Sequence, residues 1–309
     1  MNLLIKEYGE FLEKAHNHNF KNHEGVFINN SELPNNTIFG IDKNNFLIII
    51  LPLGNQISGF QIKDFITLKD KTKFFVENEN REILGSPLIF KRKNINDHFS
   101  LLSQINLILE SEEYLILLSQ YFDLLQKAHN SRNNFNSSSF FAEACTLLKL
   151  SETLPRIINQ WESSATSTID IAPSEYNPAI EVKSTTNQFE RIHTLSIHQI
   201  RYFQKNLNTL LASVIVFDDG DVSCKSICEK LISKLKPDER GYKYIQGILL
   251  AYADITTFTE SCFDEGMTIN SIRFYESNFA ELPLKNPPIW LIGGNLRVSM
   301  EALKESNNF

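Results

Sequence analysis

Glu181, Val182 and Lys183 form the only acid-X-lysine triplet lying inside an apolar, strand-like run of the 309-residue chain. In an extended strand, residues two apart point to the same face, about 7 Å apart along the chain. The Glu181 carboxylate and the Lys183 ammonium are therefore expected to share a surface, with Val182 directed behind them. Asp170 stands eleven residues upstream of Glu181, at the end of another short strand-like run. If those strands pair, two carboxylates and one lysine converge, the minimum set for metal-assisted phosphodiester cleavage. The competing reading is a surface strand whose Glu–Lys pair contributes less than about 1 kcal/mol.

The elements that must position these residues follow a helix and strand alternation. Ser139 can cap a helix whose Phe140, Ala144, Leu147 and Leu148 form one apolar side. Strands are expected over 167–172, 179–183 and 192–195, then a helix over 196–211 capped by Ser196 with Gln199 in its first turn. Residues 213–217 read as a strand and 224–235 as a helix, while 244–252 fits either. Further strands are expected over 271–275 and 289–292.

Before residue 130 the pattern differs. Residues 1–20 read as an amphipathic helix, and apolar runs at 37–41, 46–51, 60–67, 73–77 and 88–91 read as strands of a small antiparallel sheet. Asp97 can cap a helix beginning at His98, with helical spacing to Leu125 and a break near Ser111. The polar stretch 130–139 is the best boundary, giving a β-rich domain with a helical connector over 1–130 and a second domain over 131–309.

Thirty basic residues against 37 acidic ones give a net charge of −7. That argues against a protein that coats nucleic acid indiscriminately, because phosphate neutralisation needs a basic surface. Local basic segments remain: Lys183, Arg191, Arg201 and Lys205 beside the triplet, and Lys91-Arg92-Lys93, which reads most simply as a solvated strand end. The four cysteines, at 145, 224, 228 and 262, form neither a metal nor a disulfide framework and read as buried thiols. The N-terminus lacks the apolar core of a secretory signal, and the most apolar run, 46–53, is far shorter than the roughly 20 residues that span a bilayer. A cytoplasmic protein without membrane contact is expected.

From 139 to 217 the order helix-strand-strand-strand-helix-strand, together with these residues, resembles the PD-(D/E)XK nuclease superfamily. Asp170 stands where that family places its first metal-binding acid, although Ile169 replaces the usual preceding proline. Glu181 and Lys183 match the (D/E)-X-K element, and Glu143 is placed like the helix-borne acid many of these nucleases add as a ligand. Gln199 falls where several branches carry a glutamine, but the tyrosine often found four residues later is Phe203, with Tyr202 beside it. The lone Trp161, the run Glu-Val-Lys-Ser-Thr and the run His193-Thr194-Leu195-Ser196 are similar to PD-(D/E)XK proteins of bacterial restriction and defence operons.

The resemblance implies an α/β (α+β) fold with a restriction-endonuclease-like core and mixed central sheet, preceded by the β-rich domain. It implies magnesium held by Asp170, Glu181, the Val182 carbonyl and Glu143, with hard oxygen ligands suited to that ion. Lys183 would orient or activate the attacking water, and Gln199 would bond the phosphate or the nucleophile. Lys183, Arg191, His193, Arg201 and Lys205 would meet DNA. Operon partners would include a methyltransferase or an ATPase, and a homo-oligomer is compatible with the role. Plainer readings stand beside these: Glu143 as a helix-dipole partner, Gln199 facing solvent, His193 and His198 as structural histidines, and Trp161 as packing. Rival functions are a nuclease-fold subunit that binds DNA or partners without cutting, and a purely structural interaction protein whose Asp170 and Glu181 lie apart.

Overall fold

The computed structural model describes residues 8, 10–15, 17–21, 25–29, 33–51, 60–62, 65–131, 135–154, 156–162, 168–175, 177–206, 208–276, 295–300 and 305. Contacts divide the chain into two compact units, Met1–Gln126 and Lys127–Phe309.

The first unit is built on a seven-stranded sheet of β1 (Gly25–Ile28), β2 (Ile38–Asp42), β3 (Leu47–Leu51), β4 (Phe60–Ile62), β5 (Ile66–Leu68), β6 (Thr72–Val76) and β7 (Arg81–Phe90). The ten-residue β7 pairs with β6 through Arg81–Gly85 and with β3 through Ser86–Phe90. Because β1 also pairs with both β2 and β6, the ring β1-β2-β3-β7-β6 closes on itself and leaves no open edge within it. β5 and β4 extend from β7 as a flap. One face of the ring is filled by Val26, Ile28, Ile48, Ile50 and Val76. Strand β1 and the first half of β7 escape sequence reading, because Gly25 and the charged Arg81-Glu82 pair interrupt the apolar pattern.

Two helices follow, α1 (Ile95–Leu109) and α2 (Tyr114–Ser131). Asn94, not Asp97, caps α1, since its side chain accepts the Asn96 N–H at 2.9 Å. Asp97 lies in the first turn, where its charge suits the helix dipole.

The second unit opens with α3 (Ser137–Leu150), whose Phe140, Phe141, Ala144, Cys145, Leu147 and Leu148 are buried. Its cap is Asn136, which accepts the Ser139 N–H at 2.9 Å; the Ser139 hydroxyl instead meets Ser184 Oγ at 3.1 Å. The central sheet has the order β13-β10-β8, from β8 (Ala179–Thr185), β10 (Thr209–Ile215) and β13 (Arg273–Glu276). β8 and β10 run parallel and β10 and β13 antiparallel, so the sheet is mixed. Between β8 and β10 the chain forms β9 (Ile192–Ser196) and α4 (Ile197–Lys205), and β9 pairs with β14 (Asn295–Ser299) in a separate two-stranded sheet. A cluster of Ile169, Ala179, Leu195, Ile200, Phe203, Leu211, Tyr275, Val298 and Met300 seals these parts together.

Helix α4 ends earlier than expected because Leu210 and Leu211 belong to the wholly buried strand β10; a continuous apolar run does not distinguish strand from helix. Residues 244–252 fall in helix α6 (Arg240–Tyr252), which follows β11 (Val222–Ser223) and α5 (Cys224–Ile232); β11 pairs with the later β12 (Cys262–Phe263). Helices α7 (Thr256–Thr259) and α8 (Glu265–Ser271) lie on either side of β12 in the chain. Gly220 is required beside β12: a Cβ there would stand 2.0 Å from the Phe263 backbone. All four cysteines are free, three of them buried. The strand expected over 289–292 lies outside the described residues.

Of the strand expected over 167–172, the described part keeps only bridges at Ile171, which pairs with Trp161 on one side and Ile180 on the other. Trp161 is fully buried, 5.2 Å from the Phe140 ring and 6.0 Å from the Tyr244 ring. Its indole thereby anchors the segment that carries Asp170. Replacing it, Trp161→Ala, is expected to cost about 3–5 kcal/mol of stability, read from the urea unfolding midpoint; a loss within measurement error would show that the segment is held by other contacts.

Candidate active site

The site is built at the edge of β8 that faces away from β10. One edge of this strand is taken up by β10 along its whole length. On the other edge Ile180 exchanges both backbone hydrogen bonds with Ile171, each 2.9 Å. The N–H and C=O of one strand residue project to the same edge, and every second residue repeats the direction. Val182 therefore presents its backbone to the same edge as Ile180, and its N–H donates to Asp170 Oδ2 at 2.8 Å. The Val182 carbonyl is directed to the Asp170 side by the same alternation.

The side chains alternate across the sheet. Ser184 faces α3, while Glu181 and Lys183 emerge on the opposite face with Ala179. Lys183 Nζ lies 2.8 Å from Glu181 Oε1, with the lysine side chain 23% exposed and the glutamate 3%. The same oxygen accepts the Gln199 side-chain N–H. Gln199 is fixed for this role by the cap of α4: its Oε1 accepts the Ser196 N–H at 3.0 Å while Ser196 Oγ accepts the Gln199 N–H at 3.2 Å. The reciprocal capping box leaves one orientation for the amide, with Nε2 aimed at Glu181. Ser196 as cap was legible; that the Gln199 amide serves both the cap and Glu181 follows only from the fold.

Asp170 is half-buried and its carboxyl lies against that of Glu181 in hydrogen-bonding contact. Two carboxylates in such contact cannot both be charged without a cation between them. Burial, then the Asp170 charge, pushes Glu181 up to about 8, partly offset by Lys183. Burial also raises Asp170, held back by the Val182 N–H and by Lys183. Glu181 Oε2 is buried and accepts from no donor. An orphaned carboxylate oxygen beside a second carboxylate and a strand-edge carbonyl is a donor set of hard oxygens, which fits a magnesium ion. Among the described residues, no group of three or more His, Cys, Asp or Glu side chains is gathered to hold a metal. Glu143, the fourth expected ligand, accepts the Trp161 indole N–H at 3.0 Å.

Behind Lys183 lies a polar layer that sequence reading missed. His193 is buried, with Nε2 2.7 Å from Ser213 Oγ. Burial, with the charges of Lys183 and Arg191, lowers its imidazole to about 4, so it is neutral near pH 7. Arg191 donates to the Ser213 carbonyl at 2.8 Å, to Ser213 Oγ at 3.1 Å and to the Ser271 carbonyl. These bonds commit the His193 imidazole and three Arg191 donors to joining β9, β10 and α8. The available signal was Ser213, the one hydroxyl between Leu210 and Val216 in an otherwise apolar strand. Arg201 is half-buried and Lys205 exposed on α4, and His198 is exposed.

The shifted groups predict a stability profile. Folded Glu181 keeps a proton that the unfolded side chain loses above its ordinary value of 4.5, so its stabilisation is complete below that pH and lost as pH rises through about 8. His193 acts oppositely: its contribution is complete above the ordinary 6.5 and lost as pH falls through about 4. Between pH 6.5 and 8 only the carboxyl pair acts. In EDTA the protein should lose stability across that window by about 1 kcal/mol per pH unit, and Glu181→Gln should flatten the slope in chemical denaturation; an unchanged slope in the variant contradicts the assignment. No protein-family model, curated protein or solved structure matches the chain.

Proposed function

We propose that the protein is a magnesium-dependent DNA endonuclease of the PD-(D/E)XK type, acting in the cytoplasm within a restriction or anti-phage system. The observation that carries this reading is the convergence of Asp170, Glu181, Lys183 and Gln199 at one edge of β8. The mixed three-stranded sheet flanked by α3 and α4 is in keeping with a restriction-endonuclease-like core. Among the described residues no helix is long and apolar enough to cross a membrane.

Asp170, Glu181 and the Val182 carbonyl would hold the ion, with Glu143 as a candidate further ligand. Bound there, magnesium would polarise the phosphoryl oxygen and stabilise the developing negative charge. The chain's own residues do the rest. Lys183, partly exposed beside the buried acids, orients the attacking water and holds the scissile phosphate. Gln199 holds Glu181 Oε1, leaving the buried Oε2 free to meet the ion. Ser196 fixes that amide. Arg201 and Lys205 supply positive charge along α4 for the DNA backbone.

A second reading, a nuclease-fold subunit that binds DNA or operon partners without cutting, is favoured by two observations. The described acids at the site number only two, Asp170 and Glu181, and Phe203 is fully buried where related enzymes often place a tyrosine. Cleavage of duplex and single-stranded DNA with magnesium separates the readings. The active reading predicts a cleavage rate that falls by about 10²-fold or more in Lys183→Ala with an unchanged circular dichroism spectrum. Equal cleavage by Lys183→Ala removes the assignment, and absence of cleavage in the parent on modified and unmodified DNA favours the second reading.

A further inference from the structure

We propose that the β-rich unit carries its own binding groove for single-stranded nucleic acid, independent of the cleavage reading above. A hollow of ≈ 780 Å³ opens between the β2–β3 turn and the flap of β4 and β5, lined by Asp42, Asn44, Phe46, Gln61, Thr67, Leu68, Lys69, Asp70, Ile89 and Lys91. Its floor follows from register. Gln61, Thr67 and Ile89 form one row across β4, β5 and β7, so their side chains share a face.

The lysines mark the two ends of that face. Lys69 follows Thr67 by two residues and its backbone N–H donates to the Pro87 carbonyl at 3.0 Å; Lys91 follows Ile89 by two and its backbone N–H donates to the Phe65 carbonyl at 2.9 Å. Because β5 and β7 are antiparallel, these steps run in opposite directions and separate the two lysine backbones by about 13 Å along the strands. Lys93, over the Phe46 ring, and the exposed Lys71, two residues beyond Lys69, add charge just outside. The expectation of a simple solvated strand end at 91–93 is thus enlarged: Lys91 lines the groove and Lys93 stands over the Phe46 ring at its rim, while Arg92 lies over Phe65.

The acids in the groove differ in consequence. Asp42 is occupied in the turn, where Oδ1 accepts the N–H groups of Asn44 at 2.8 Å and Phe46 at 2.9 Å and Oδ2 accepts the Asn44 amide at 3.2 Å. Asp70 is exposed at the Lys69 end and opposes an anion. Among the described residues at the groove, four cations (Lys69, Lys71, Lys91, Lys93) stand against two acids, Asp42 and Asp70, in a chain of net charge −7. The half-buried Phe46 ring, with Lys93 Nζ 5.8 Å from its centroid, offers an aromatic face at the rim. Cations spaced along a groove, an aromatic platform and side-chain amides suit phosphates and unpaired bases together. An acidic polypeptide would use the cations but not the ring.

The test uses the full-length protein in EDTA, so that no hydrolysis enters, and fluorescence anisotropy of a labelled oligothymidylate over a range of salt. Saturable binding is expected. The pair Lys69→Ala/Lys91→Ala should weaken it about tenfold and lower the salt slope by about 1.4. Phe46→Ala should weaken it about fivefold at unchanged slope, with Phe46→Trp restoring it. Asp70→Asn should tighten it, and Lys225→Ala, at an exposed lysine of α5, should leave it unchanged, which separates the groove from positive charge elsewhere on the chain. The proposal is overturned if the parent shows no saturable binding, if the double variant binds as the parent does, or if poly-glutamate competes as well as oligothymidylate and Phe46→Ala has no effect.

Discussion

Burying two carboxylates in contact is the constraint on which the rest of the site depends. Glu181 is almost wholly covered and abuts Asp170, a pairing that is unfavourable unless a proton or a cation lies between the two groups. The surrounding groups divide the two oxygens of Glu181 between separate tasks. Lys183 and Gln199 both donate to Oε1, while Oε2 is buried without a donor. Leaving a buried acceptor unsatisfied costs about 1–3 kcal/mol, so Oε2 favours a proton or a cation beside it. The fold tolerates this because parallel pairing with β10 and the Ile171 bridge fix β8 on both edges.

The polar layer behind Lys183 serves the same constraint from the other side. His193, neutral and bonded to Ser213, places no positive charge against the lysine, while Arg191 spends its donors on backbone carbonyls of β10 and α8. Lys183 therefore has the Glu181 carboxylate as its near partner and keeps part of its length open to solvent. Helix α4 contributes twice, through Gln199 at its start and through the buried Ile200 and Phe203 that hold it on the sheet.

Much of this was legible in sequence where one local rule decides the outcome. Alternation along 179–183 placed Glu181 and Lys183 on one face, and the Ser196-to-Gln199 spacing marked the helix start. What failed to show needed contacts between distant segments. The partner of Glu143 is Trp161, eighteen residues away, and the partners of His193 and Arg191 lie about β10 and α8. No periodicity encodes such pairings. The N-terminal ring was half-legible: strands β2 and β3 stand out by their apolar runs, whereas closure depends on β7 changing partners midway, at Gly85 and Ser86. Caps slipped by one helical turn for a simple reason: Asn94 and Asn136 compete with Asp97 and Ser139, and the chain used the earlier residue in both cases.

On the proposed function, Asp170 and Glu181 would form one cation site that holds a proton when the cation is absent. Magnesium titration by calorimetry at pH 7, repeated in buffers of different ionisation enthalpy, tests it most directly. The account predicts saturable binding with net proton release, both abolished by Asp170→Asn. Binding without proton release, or binding that Asp170→Asn leaves unchanged, would contradict it.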